Sequence, residues 1–134
     1  MAAKTEGNYP GDWLIDELFA PNYCREEVTV LSGQKLASGA VVAKRDDGAN
    51  AGKVVEYEGD GSNATATAVG ILIHAVDASA TGANADTPGV MLSCGPAVVS
   101  KAGLTWKTGE STTDDIPEAY VDLKALGIHF VEGV

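Results

Sequence analysis

Only eight of the 134 residues are aromatic, and histidine, cysteine and methionine occur twice each. So few histidines and cysteines leave little for a metal centre, and neither Cys24 nor Cys94 belongs to a metal-spacing motif. The two thiols could pair, but a reducing cytoplasm makes free, buried thiols the expectation. Lysine and arginine total nine, scattered among nineteen acids, for a net charge of −10. Phosphate binding needs clustered cations, so nucleic acid is excluded as the main partner. The longest apolar run, AVGILIHAV, falls far short of the ~18 residues that span a bilayer, so no membrane partner is expected. The N-terminus, MAAKTEGNYPGDW, lacks the apolar stretch of a secretory signal. A soluble chain, intracellular when made, is the expectation.

What the chain has in quantity is small residues: 20 alanines and 16 glycines. The length suits one domain, and 45% hydrophobic with 21% charged residues is ordinary globular composition. A core built from small side chains buries modest area per residue, so association with further copies would add stability. The acidity reads first as a solubility device, keeping many copies apart before they meet a target.

The stretch Lys53 to Val76, KVVEYEGDGSNATATAVGILIHAV, shows how the domain is built. Val54, Val55 and Tyr57 give a β-prone run, the cluster Gly59 to Asn63 can supply the positive φ angles of a turn, and a buried strand follows from Ala66 to Val76. Gly70, inside that strand, marks a bulge or a close backbone approach. Further short strands are predicted at Glu27–Leu31, Ala40–Lys44, Val90–Leu92 and Ala97–Ser100. Such spacing points to a mainly β fold, a compact β-clip or small β-barrel. Asp77 to Pro88 is polar and small and reads as an exposed loop. Ile116, Ala119, Tyr120, Leu123 and Leu126 recur at helical spacing, with Asp114 and Asp115 at the positive end and Gly127 as the stop, so one short C-terminal helix is predicted. Ile128 to Val131 resumes a strand whose partner lies elsewhere in the sheet or on a neighbouring subunit.

Apparent chemical motifs fail on what their chemistry requires. Glu58 to Asn63 resembles the start of a calcium loop, but counting from Glu58 or from Asp60 neither Gly at the sixth position nor Glu at the twelfth is present. GANAGK, Gly48 to Lys53, is one residue short of a phosphate loop and is followed by Val54 where Ser or Thr is needed. His74 with Asp77, and Ser93 beside Cys94, can be imagined as base, acid and nucleophile, yet no strained elbow or signature accompanies them. His74 and His129 read as structural or exposed histidines. Asn63-Ala64-Thr65 is a glycosylation sequon with no meaning without secretion. No catalytic residue, cofactor or metal site is predicted.

The chain divides at about residue 26, into a segment 1–25 and a β-rich domain 26–134. Tyr9, Trp13, Phe19 and Tyr23 put half of all the aromatics in the first segment, together with Pro10 and Pro21. A solvated tail without a role would be poor in such residues, which gain free energy only on burial. Trp13, Leu14, Leu18 and Phe19 could form one apolar helical turn after Asp12, and the prolines interrupt anything longer. Two readings stay open: an extended arm that docks on a partner, or a lid packed on its own domain.

The run GDGSNATATAVGIL resembles the head decoration proteins of tailed bacteriophages, the lambda-type capsid-stabilising family, in which a Gly/Asp turn leads into an AVGIL strand. The resemblance extends through VTVLSGQ (28–34), LASGAVVAK (36–44), GPAVV (95–99), GLTW (103–106) and ALGIHFVEGV (125–134), most of residues 26 to 134. It implies a non-enzymatic structural protein, a homotrimer on local three-fold positions of the capsid exterior. There it would bind the major capsid protein of an expanded head, on virions assembled in the host bacterial cytoplasm. It also implies that the N-terminal region faces the shell, which makes Tyr9, Pro10, Trp13, Leu14, Leu18, Phe19, Pro21 and Tyr23 a capsid-binding arm. The alternatives are a small β-rich virion surface module that binds a carbohydrate or host surface, and a hydrolase using Cys94 or Ser93 with His74.

Overall fold

The computed structural model describes residues 9–17, 24–62, 64–110 and 112–132. They form β1 (Leu14–Glu17), β2 (Arg25–Val30), β3 (Lys35–Leu36), β4 (Val41–Lys44), β5 (Val54–Glu56), β6 (Gly70–Leu72), β7 (Val76–Asp77), β8 (Thr87–Leu92), β9 (Ala97–Ser100), α1 (Asp115–Ala125) and β10 (Ile128–Val131). Five strands close into a barrel in the order β2-β5-β4-β6-β8. A second sheet has the order β1-β9-β10, and β3 pairs with β7 in a two-stranded ribbon. The fold is mainly β with one helix near the C-terminus, as the residue pattern predicts.

β4, β6 and the end of β8 are apolar on both faces, and the reason is their position between two cores. Val42, Leu72 and Met91 point into the barrel, beside Val30 and Val54. Their neighbours Val41, Ile71 and Leu92 point outward, into a second cluster with Trp13, Val99, Leu123 and Ile128 from the three-stranded sheet and the helix. A strand buried on both faces reads as a continuous hydrophobic run rather than an alternation. Gly70 sits where β6 crosses β8. A Cβ there would lie 2.7 Å from the Leu92 carbonyl oxygen and 2.8 Å from Met91 Sδ, so the glycine serves the close approach that its place in the strand predicts.

Several expectations are corrected. The single strand foreseen from Ala66 to Val76 is divided: β6 ends at Leu72, a bend follows at Ile73 and His74, and β7 leaves the barrel to pair with β3. None of Gly59 to Ser62 takes a positive φ; among the described residues here it falls just after the cluster, at Ala64, at 68°. Gly59 and Gly61 are instead crowded by the side chains of Asp115 and Thr65. Asn63 lies outside the described residues. GANAGK is the connection between β4 and β5, closed by Gly52 N–H donating to the Arg45 carbonyl at 2.8 Å. The segment after Asp12 is a strand, not a helical turn, because the free edge of β9 offers hydrogen-bonding partners that an isolated apolar turn lacks.

Helix α1 lies across the outward barrel face, with Ala119 and Leu123 fully buried. It is fastened by polar contacts as well. The Tyr57 hydroxyl donates to the Asp115 carbonyl at 2.8 Å, and the Asp122 carboxylate accepts from Ala68 N–H at 3.0 Å. Beside it runs a row of edge-on rings: Tyr57 to Trp106 at 6.3 Å, Trp106 to Tyr120 at 5.5 Å, and Tyr120 to Phe130 at 4.9 Å. Edge-to-face pairs of this kind add to plain burial. After the helix, Gly127 takes φ 94° and β10 pairs in parallel with β9.

Burial pushes the Tyr57 hydroxyl up from 10.0 to about 12, helped by the nearby carboxylates of Asp122 and Glu118. The raised folded value means the unfolded chain ionises first as pH rises. The stabilising contribution is therefore complete below pH 10 and is lost as pH climbs toward 12. Urea midpoints measured across that window should fall for the wild type and fall less for Tyr57→Phe. A Tyr57 that titrates at its ordinary value, followed by tyrosinate absorbance, would contradict this.

Candidate functional site

Of the N-terminal residues singled out by sequence, Tyr9, Pro10, Trp13 and Leu14 lie within the described residues. Leu18, Phe19, Pro21 and Tyr23 lie outside them. The described part begins with a short 3-10 turn over Pro10–Asp12, in which the Asp12 carboxylate accepts from Tyr9 N–H at 2.8 Å. Proline suits the first position of such a turn because its missing N–H would have had no partner there. The chain then enters β1, antiparallel to β9, with Leu14 opposite Val99 and Asp16 opposite Val98.

Trp13 is the anchor of this segment. Its side chain has no exposed surface. The indole N–H donates to Ser38 Oγ at 3.0 Å, and the Ser38 hydroxyl donates in turn to the Ile73 carbonyl at 2.6 Å. Burying an indole leaves its N–H in need of an acceptor, and Ser38, itself buried, supplies one. The Trp13 carbonyl accepts from Ser100 N–H at 2.7 Å. Gly103 makes room for all of this: a Cβ there would lie 2.3 Å from the Asp12 carbonyl oxygen and 2.7 Å from Trp13 Cβ. These contacts, with the β1–β9 pairing, fix the segment on the body, and they leave Trp13 no surface to offer a partner in this conformation. Leu14 is half-buried against the same core, whereas Tyr9 is 57% and Ile15 46% exposed. Residues 9–17 thus have the packing of a lid at Trp13 and the exposure of an arm at Tyr9 and Ile15.

Ser38, Ser100 and Gly103 are the partners that sequence reasoning missed. Ser38 lies 25 positions from Trp13 in a run that reads as turn and strand, so no local pattern marks the pair. Gly103 falls within the GLTW piece and Ser38 within LASGAVVAK, but neither piece marks its contact with Trp13.

On the outer face of the three-stranded sheet, Asp16, Val98 and His129 fall in one row across β1, β9 and β10. Together with Pro96 and Gly127 they border a shallow cavity of about 110 Å³. The groups once imagined as reactive are otherwise engaged. The Asp77 carboxylate accepts from Ser79 N–H at 3.0 Å, from the Ser79 hydroxyl and from Thr81 Oγ1 at 3.0 Å, and the Ser79 hydroxyl bond holds it below the usual carboxylate range. Ser93 Oγ turns to the Cys24 carbonyl at 3.4 Å. His74 stands exposed on the bend before β7. Neither cysteine is in a disulfide; Cys24 is buried and Cys94 half-buried. Among the described residues no group of three or more His, Cys, Asp or Glu could hold a metal ion, and no helix is long and apolar enough to cross a membrane.

The fold and this surface define a small β-barrel protein that presents a fastened N-terminal segment rather than an assembled reactive centre. The chain belongs to the family of bacteriophage lambda head decoration protein D, whose sequence model matches residues 3–128. No curated protein matches the chain at a significant level. The family is structural rather than enzymatic and belongs to the phage capsid, and its match includes residues 9–17 as well as the barrel.

The Trp13 anchor makes a direct prediction. Trp13→Ala should lower unfolding stability by about 3–5 kcal/mol, in the range of large core truncations. Ser38→Ala, which strands the indole N–H, should cost about 1–3 kcal/mol. Urea denaturation measures both. A loss below about 0.5 kcal/mol for Trp13→Ala, the size of a surface substitution, would contradict the anchoring role.

Proposed function

We propose that this protein binds the outer surface of the expanded bacteriophage capsid, as a trimer at local three-fold positions, and stabilises the head by clamping neighbouring subunits of the major capsid protein. The observation that carries the proposal is membership of the head decoration family over residues 3–128. The protein then resides on the virion exterior, is assembled in the host bacterial cytoplasm, and acts by adhesion rather than by chemistry.

The mechanism is thermodynamic. A protein that binds only the expanded shell stabilises that state by RT ln(1 + [L]/Kd), about 2.7 kcal/mol per site when free protein stands 100-fold above Kd. Three attachment points on one rigid body turn individually weak contacts into avid binding, because later contacts form at high effective concentration. The net charge of −10 suits a protein that must stay dispersed at high copy number until it reaches its site.

Residues 1–25 are the proposed capsid-facing arm and residues 26–134 the decoration domain. Within the arm, Trp13 and Leu14 act as the root, since they pack on the domain. Tyr9, with its exposed ring, and Pro10 lead toward the shell, and Leu18, Phe19, Pro21 and Tyr23 complete the proposed contact set. Rooting the arm reduces the freedom it loses on docking, and so strengthens attachment.

Co-sedimentation with purified heads tests the proposal. The protein should pellet with expanded heads and stay in the supernatant with unexpanded ones. A Tyr9→Ala variant, which keeps Trp13 and changes an exposed side chain, should bind expanded heads more weakly with an unchanged melting temperature. Equal pelleting with both head forms, or with neither, would overturn the proposal.

A further inference from the structure

The barrel is closed at one seam by a single residue pair. β2 and β5 run parallel and meet only where Val30 lies opposite Val54, with Leu31 N–H donating to the Val54 carbonyl at 3.0 Å. Below that point the strands part. An open cleft of about 630 Å³ lies there, bordered by Glu26 to Thr29 of β2 with Pro88 to Val90 of β8 behind them, and by Lys44 and Gly52 on the other side.

The hydrogen-bonding direction of β2 follows from three observations. Leu31 N–H points to β5. The Cys24 carbonyl accepts from Ser93 N–H on the β8 side. Pro88, which has no N–H, lies opposite Thr29. Backbone groups alternate sides along a strand, so even-numbered residues of β2 bond to β8 and odd-numbered ones face the seam. The Glu27 N–H and C=O therefore point into the cleft, where no residue of β5 lies opposite. Val90, across from Glu27, is consistent with this: its carbonyl turns away to accept from Ile73 N–H at 2.8 Å.

An unpaired strand edge beside an open cleft is the template for strand addition. From strand spacing, rise and sheet thickness, 630 Å³ accommodates an extended segment of about four residues. The charges select the segment. Lys44 is occupied by Glu26 at 2.8 Å, and Arg25 already has a partner. The exposed Glu27 makes no ion pair among the described residues, so one carboxylate at the cleft stands uncompensated.

We propose that the β2–β5 seam receives an extended segment of the capsid protein as an added strand, with a lysine or arginine of that segment meeting Glu27. This rests on the capsid-binding function proposed above and gives it a second contact, on the barrel rather than on the arm.

Hydrogen–deuterium exchange of the full-length protein, free and bound to expanded heads, tests it. A peptide covering residues 25–31 should gain protection on the heads, while the β9–β10 peptides should not change through this contact. Glu27→Lys, which keeps the backbone N–H, should weaken head binding roughly tenfold, and Glu27→Pro, which removes it, should abolish the added protection. Melting temperatures of both variants verify that they fold. Head binding by the wild type with no added protection at 25–31, or with undiminished affinity for Glu27→Lys, would overturn the seam contact while leaving the capsid-binding function standing. Failure of the wild type to bind heads at all would overturn both. Protection that appears in concentrated protein without heads would assign the seam to a second copy of this chain and overturn the capsid segment as its occupant.

Discussion

Everything in the molecule depends on one indole. The outward side of the barrel presents Val41, and the loop before β6 adds the small Ala68, to the helix and the three-stranded sheet. Trp13 fills the space between these layers, with no exposed surface and with its N–H carried through Ser38 to the Ile73 carbonyl. A large apolar group is most effective where its neighbours are small, because one side chain then supplies burial that several alanines cannot. The same contact fixes the course of the described N-terminal segment along the body.

Much of this was legible in the residues and some was not, for physical reasons. β2, β4, β5, β8, β9 and β10 fall within a residue or a few of the runs marked by β-branched residues, and α1 follows the spacing of Ile116, Ala119, Tyr120 and Leu123. Short elements held by tertiary pairing escaped. β1, of sequence LIDE, has no alternation to mark it and exists because β9 has a free edge. β3 and β7 are two residues each, held by one another. The break at His74 was hidden because strand and bend carry the same apolar composition, and only the turn from barrel to ribbon separates them. Ser38 could not be matched to Trp13 because side-chain hydrogen bonds across 25 positions leave no periodic trace. The family, by contrast, was legible from ordered pieces, several of which hold glycines at tight crossings, such as Gly70 in AVGIL, Gly95 in GPAVV and Gly103 in GLTW.

These features suit a protein whose work is adhesion. A barrel whose β4 and β6 are buried on both faces, with a helix fastened to it through Tyr57 and Asp122, is a stiff body. Stiffness matters because contacts on a preorganised body lose less entropy on docking than contacts on a mobile one. The acidic composition favours dispersal of free copies. Of the described aromatic residues in the N-terminal segment, Trp13 is turned inward and Tyr9 outward, so the proposed arm would present Tyr9 and not Trp13.

Calorimetry of expanded heads, titrated with the purified protein, tests the central claim most directly. If free energy of attachment to the expanded shell is what the protein contributes, the melting temperature of those heads should rise continuously with the logarithm of free protein concentration above Kd, and that of unexpanded heads should not move. Expanded heads that melt at the same temperature at every protein concentration would contradict it.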